Sequence, residues 1–212
     1  MPNSQLLIRP ARPEDVKLAV AVLRSSMDGL ADYLYSGDPQ RSVDEYIGAM
    51  YQLGGHRFSW DISFVGEAEG QSVGFLLSYP GQWISRLQMA LLSKLPSLYG
   101  WRGAARVLGR LLPLANALET EADEYYISNI GVLPEFQGRS YGTQLMAFAE
   151  TKAREAGLSK CSLSVDEHNE GALRLYERLG YKIVFSKHFE GKVAEQESGY
   201  HRMVKQLDSE LS

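Results

Sequence analysis

Residues 125–157 carry the arrangement that most limits the fold: an apolar run, a turn of small residues, and an amphipathic segment closed by glycine. Tyr125 to Val132 reads as a strand, and a helix is expected from about Ser140 to Ala156, with Gly157 ending it. Between them lie Ile130, Gly131 and Val132, then Leu133-Pro134-Glu135-Phe136, then Gln137-Gly138-Arg139-Ser140-Tyr141-Gly142-Thr143. A turn placed there presents unpaired backbone N–H groups and the positive end of a helix to an anion. Small residues let phosphate oxygens approach the backbone closely, because a larger side chain would intervene. Arg139 adds charge for the same anion, so diphosphate is the natural ligand of this turn. The sequence has no Gly-Lys-Ser/Thr of a P-loop, and its glycines do not fit Gly-x-Gly-x-x-Gly. Taken alone, the turn supports an anion site or an ordinary strand-to-helix connection.

The remaining pattern is that of an α/β sheet. Leu6-Leu7-Ile8, stopped by Pro10, reads as an edge strand, and Pro13-Glu14-Asp15 as a helix start continued by Val16, Ala19, Val20 and Leu23. A second helix is expected over Val43 to Leu53, with Ser42 as its cap. From Ile62 the period changes, and two strands, Ile62–Ala68 and Ser72–Leu77, are joined by a tight turn containing Gly70. Downstream, Cys161–Val165, Tyr181–Phe185 and Tyr200–Val204 read as strands, and Gly171–Leu179 as a helix closed by Gly180. Between Gly81 and Leu118 there is no acidic residue. Two amphipathic helices are expected there, the first ended by Pro96, the second bearing Arg102, Arg106 and Arg110 along one face. That face reads first as a solvated stripe; a substrate lid, a homodimer surface or a site for an acidic partner are the sharper readings.

A chain of 212 residues can bury one sizeable core, and 44% hydrophobic with 23% charged residues is ordinary for a globular protein. The net charge of -4 argues against a generic nucleic-acid binder, and no apolar stretch is long enough to cross a membrane. Met1 to Gln5 lack the regions of a signal peptide, and the lone Cys161 excludes an internal disulfide, so a cytoplasmic protein is expected. His56, His168, His188 and His201 lack metal-ligand spacing, so no metal is expected.

A second motif narrows the reading: Asn169-Glu170-Gly171-Ala172-Leu173-Arg174-Leu175-Tyr176-Glu177-Arg178-Leu179-Gly180-Tyr181. With Val132 and Pro134, Gln137 and Gly142 upstream, the chain resembles the GNAT N-acetyltransferase superfamily. The family pattern is Val-x-Pro, then Gln/Arg-x-x-Gly-x-Gly/Ala opening a helix, then Asn-x-x-Ala-x-x-Leu-Tyr-x-x-Leu-Gly-Phe/Tyr. The strong match covers roughly residues 125–185, and Ile8-Arg9-Pro10-Ala11 with Glu14-Asp15 is similar to the family's usual start.

The resemblance implies one α/β (α+β) N-acetyltransferase domain over residues 1–212, with a mixed, mostly antiparallel twisted sheet and helices on both faces. It also implies a helical insertion at about 81–122. It implies acetyl-coenzyme A as co-substrate and an amine as acceptor. The backbone of Ile130, Gly131 and Val132 would hold the pantetheine arm, Gly138 to Thr143 the pyrophosphate, and Asn169 the cofactor arm. Tyr176 would lie beside the thioester sulfur and protonate the departing thiolate, a role that suits a phenol. Two positions depart from the pattern. Ser140 stands where the family usually has Gly, and Ser164 where some relatives carry a Glu as general base. Other relatives use an acid on the preceding strand; Glu124 is the first choice, with Asp123, Asp166, Glu167 and His168 open. The rival reading is a non-catalytic acetyl-coenzyme A sensor or interaction module.

Overall fold

A computed structural model describes residues 5–36, 38, 40–114, 119–189 and 199–208. Seven strands form one sheet in the order β1-β2-β3-β4-β5-β7-β6. They are β1 (Leu7–Pro10), β2 (Ser63–Ala68), β3 (Gln71–Pro80), β4 (Tyr125–Val132), β5 (Lys160–Asp166), β6 (Lys182–His188) and β7 (Gly199–Gln206). Every pairing is antiparallel except that of β4 with β5. The β2–β3 hairpin turns on Glu69 and Gly70, both at positive φ (53° and 75°), the geometry that matches the twist of a two-residue connection.

Five helices cover the faces: α1 (Val16–Tyr35), α2 (Val43–Leu53), α3 (Ile84–Leu111), α4 (Tyr141–Glu155) and α5 (Glu170–Arg178). Alternation along the strands sends Val65, Phe75, Leu77 and Tyr126 to a core shared with α1, α2 and α3. Leu76, Tyr125, Ile127 and Leu163 go to a second core under α4 and α5, joined by Val73, which the register slip between Gly66 and Glu67 turns to that side. Helix α2 begins and ends where the sequence places it. Ser42 Oγ accepts from Glu45 N at 3.2 Å, while Glu45 Oε2 accepts from Ser42 N at 2.7 Å, a reciprocal cap of two free donors. At the start of the chain, Arg9 grips Asp15 with two 2.8 Å bonds and Glu67 with one of 2.7 Å, fixing the entry to α1 against the first hairpin.

The segment between β3 and β4 is helical, as expected, but it does not stop at Pro96. Its buried stripe, Leu87, Leu91, Leu95 and Leu98, runs past the proline, and the chain breaks instead at Gly100 (φ 62°, ψ 170°). Losing one backbone hydrogen bond near a helix end costs less than exposing Leu98, and the left-handed turn that follows suits glycine. The basic face is also divided. Arg110 Nη1 donates to Ser36 O at 2.8 Å, closing the carbonyl end of α1, while Arg102 and Arg106 are exposed. No helix among the described residues is long and apolar enough to cross a membrane.

Candidate active site

Strand β4 is bonded to β3 along its whole length, from Pro80 opposite Tyr125 to Gly74 opposite Val132. To β5 it is bonded only through Tyr125, Tyr126 and Ile127, against Cys161, Ser162 and Leu163. Beyond Ile127 the two parallel strands separate, so one backbone edge of β4 from Ser128 to Val132 has no strand partner among the described residues. Ile130, Gly131 and Val132 lie on this edge and are partly exposed. The register against β3 slips between Leu77 and Ser78, which leaves Ser128 as an extra residue in β4. Strict alternation fails at that bulge, and Ser128 and Asn129 both line the same cleft.

The turn from Gln137 to Ser140 is exposed beside this gap. Gly138 and Ser140 hold positive φ, 74° and 63°, and α4 begins directly after them. The first N–H groups of a helix, here those of Tyr141, Gly142 and Thr143, have no acceptor within it, and the dipole adds to their attraction for an anion. Gln137 Nε2 donates to Val132 O at 3.1 Å and ties the turn to the end of β4. The Arg139 guanidinium lies 5.4 Å from the centre of the Phe136 ring. The Tyr141 side chain points into the core, so only its backbone can serve the turn. These features fit a diphosphate group.

The left-handed backbone at Ser140 is one that glycine adopts without strain. An L-residue pays about 1–2 kcal/mol for this conformation and glycine loses about 0.5–1 kcal/mol in chain entropy. Ser140→Gly is therefore expected to raise stability by about 0.5–1 kcal/mol. A fall in the urea midpoint would mean that the serine hydroxyl holds the turn.

Helix α5 packs against the start of α4: a Cβ added to Gly142 would meet Leu175 Cδ2 at 3.7 Å. Asn169 caps α5, its Oδ1 accepting from Ala172 N at 3.1 Å. Two turns on from Asn169, Tyr176 is 8% exposed, with its ring 6.2 Å from that of Tyr181. Burial alone pushes the Tyr176 phenol up to about 12.

On the opposite face of the sheet is a cleft of about 650 Å³ that reaches the strand gap at Ser128 and Asn129 on one side and Ser164 to Asp166 on the other. Its polar part is a pair that the sequence reading does not contain. Arg57 donates to both oxygens of Glu119, at 3.0 and 2.5 Å, and Tyr126 Oη donates to Glu119 Oε2 at 2.9 Å. Burial pushes the Glu119 carboxyl up, but Arg57 and Tyr126 outweigh it and hold that group below the usual carboxylate range. Asp166 Oδ1 accepts from His168 N at 2.7 Å, and the buried Ser164 Oγ has no hydrogen-bond partner among the described residues.

Glu124 is elsewhere. It lies one residue before β4, at the end of the strand where β4 and β5 are paired, and Thr120 separates it from the cleft. Arg202 Nη2 donates to its two oxygens at 2.5 and 2.6 Å, and Glu121 N and Thr120 Oγ1 donate to Oε2 at 2.9 and 3.1 Å. Burial pushes its carboxyl up, while Glu121 N–H and Arg202 more than reverse this and keep it below the usual range. Glu121, Asp123 and Glu124 bring carboxylate oxygens within 4.8 Å of one another. Lys160, 2.8 Å from Asp123, and Arg202 offset two of those three charges.

The model of the acetyltransferase (GNAT) family matches residues 28–181. The chain belongs to this family. An uncharacterized N-acetyltransferase, YycN, of Bacillus subtilis (strain 168) is 35% identical over 72 residues, 32% of this chain and 46% of that protein. The aminoalkylphosphonate N-acetyltransferase of Salmonella typhimurium is 43% identical over 56 residues, 26% of this chain and 36% of that protein. The matches thus span less than half the length of these curated relatives. The structure of an N-acetyltransferase from Staphylococcus aureus Mu50 superposes with a TM-score of 0.70, covering 93% of this chain and 99% of that chain at 23% identity, a likeness of fold.

Proposed function

We propose that this chain, as one N-acetyltransferase domain over residues 1–212, binds acetyl-coenzyme A and transfers its acetyl group to a primary amine by direct attack. The observation that carries this reading is the gap at Ser128, with a diphosphate-compatible turn and a buried phenol on one face and a cleft on the other. Bound acetyl-coenzyme A supplies an activated thioester. The turn from Gly138 to Thr143 holds the diphosphate, with Arg139 adding charge. The free edge of β4 at Ile130, Gly131 and Val132 holds the arm, and its backbone N–H groups steady the oxyanion that forms on attack. Asn169, whose oxygen is spent on Ala172 N, turns its amide nitrogen to the arm. Asp166 on the cleft wall takes the proton of the attacking amine, since Glu124 is held by Arg202 away from the gap. Tyr176 donates a hydrogen bond to the departing sulfur.

The test combines calorimetric titration of acetyl-coenzyme A with release of free thiol across an amine panel. Binding together with amine-dependent thiol release is the expected outcome. Gly138→Val, which forces a β-branched residue into φ 74°, is expected to weaken cofactor binding by roughly 5–30-fold, from about 1–2 kcal/mol of backbone strain. Binding without thiol release from any amine would instead support a sensor.

A further inference from the structure

The cleft has a charge inventory that restricts what can occupy it. Its walls above the strand gap are aliphatic: Leu30 and Leu34 from α1, Leu91, Leu92, Leu108 and Leu111 from α3. Among the described residues, its lining contains one basic group, Arg57, and two carboxylates, Glu119 and Asp166. Arg57 and Glu119 neutralise each other through a two-point contact, and Tyr126 takes a further lone pair of Glu119. Neither member of that pair is available to a second charge on a ligand. Asp166 remains, at the end of β5 and beside the gap where the acyl group would be presented. The hydroxyl of Ser164, buried and without a partner among the described residues, lies two residues away on the same strand face.

We infer that the acceptor is a primary monoamine on an extended aliphatic or aryl body, its amino group at Asp166 and Ser164 and its apolar body along α1 and α3. This rests on the acceptor side of the reading above and names its substrate class. A polyamine would have to bury a second ammonium among leucines with no carboxylate of the described lining free to pair with it, which is strongly unfavourable. A substrate bearing a carboxylate or phosphate would find its nearest cation, Arg57, already occupied by Glu119. An apolar body instead gains from every methylene it removes from water.

The experiment is a homologous series of n-alkylamines, assayed by thiol release, with n-heptylamine compared against the α,ω-diamine of the same chain length. Catalytic efficiency is expected to rise roughly fourfold per methylene until the cleft is filled. The monoamine should exceed the diamine by roughly 100-fold or more. Leu108→Glu places a carboxylate on the cleft wall at a residue 45% exposed, where folding tolerates it, and should narrow that ratio at least tenfold. A flat series, or a diamine preferred over the monoamine, overturns the inference. Calorimetric titration of both amines into protein saturated with coenzyme A separates this from the transfer reaction. Selective monoamine binding without thiol release supports the cleft's preference and overturns the acetyl-transfer reading, whereas equal binding of the two amines overturns the preference itself.

Discussion

Tyr176→Phe is expected to lower turnover by about 10²-fold, at the lower end of what general acids contribute, while leaving acetyl-coenzyme A affinity within about twofold. The magnitude follows from the phenol's surroundings. Burial holds it up to about 12, so it stays protonated through the neutral range and always has a hydrogen to offer. A thiol titrates near 8.5, so full transfer from such a phenol to a thiolate is uphill by several pKa units. In the proposed mechanism Tyr176 therefore acts chiefly as a hydrogen-bond donor to charge developing on sulfur, and solvent completes the protonation. Folding stability should change by less than about 0.5 kcal/mol, because no partner for the hydroxyl exists among the described residues. Ionisation of Tyr176 should produce no limb in the kcat profile below about pH 10. Steady-state kinetics with thiol detection checks all of this. Unchanged turnover in the Phe variant would leave Tyr176 with packing alone.

The sequence carried the local half of this fold well. The bounds of α2 and β4 are legible because their signals are local: a Ser–Glu capping box in one, an uninterrupted apolar run ending in Val-x-Pro in the other. The seven-stranded order is less so, since the pairing of β7 between β5 and β6 is set by contacts across the chain rather than by neighbours. Pro96 misleads for the same reason. As a local breaker it ends a helix, yet the leucine stripe it interrupts continues into the core, and the break falls at Gly100. The sequence Tyr99-Gly100-Trp101 does contain the usual glycine stop, four residues after the proline.

The candidate site divides in the same way. The donor half, from Ile130 to Thr143 with Asn169 and Tyr176, is a run of local geometry, strand then turn then capped helix, and its motif is legible. The acceptor half is not. Arg57 and Glu119 are 62 positions apart, and no periodicity joins a loop before β2 to a loop before β4. Only the fold makes them a pair. Strict alternation places Glu124, Tyr126 and Ser128 on one face, but the bulge at Ser128 breaks it: Tyr126, Ser128 and Asn129 all line the cleft and Glu124 does not. What alternation could not show is that Arg202, from β7, closes over Glu124 before the cleft is reached.

Arg202→Leu is expected to be the most destabilising single change considered for this protein, at about 3–5 kcal/mol, because it leaves the Glu124 carboxylate buried without its counter-charge. Both side chains are nearly inaccessible, 4% and 3% exposed, so water cannot take the place of the lost partner. The double variant Glu124→Leu with Arg202→Leu should recover most of that loss, since two apolar residues of similar bulk need no counter-charge. The pair also sets an acid limb. The folded carboxyl is held below its usual value, so its contribution is present above about pH 4.5 and is lost as pH falls through the lowered value. In the double variant this limb should flatten. Urea unfolding at neutral and acid pH measures both effects, and a single-variant cost under about 1 kcal/mol would show that the pair is hydrated in solution. The same variants decide the role of Glu124 in chemistry. If it only anchors Arg202, Glu124→Gln loses stability while activity per folded molecule stays within a few-fold of the parent. A loss of about 10²-fold in that normalised activity would instead make Glu124 the base and leave Asp166 as a wall residue.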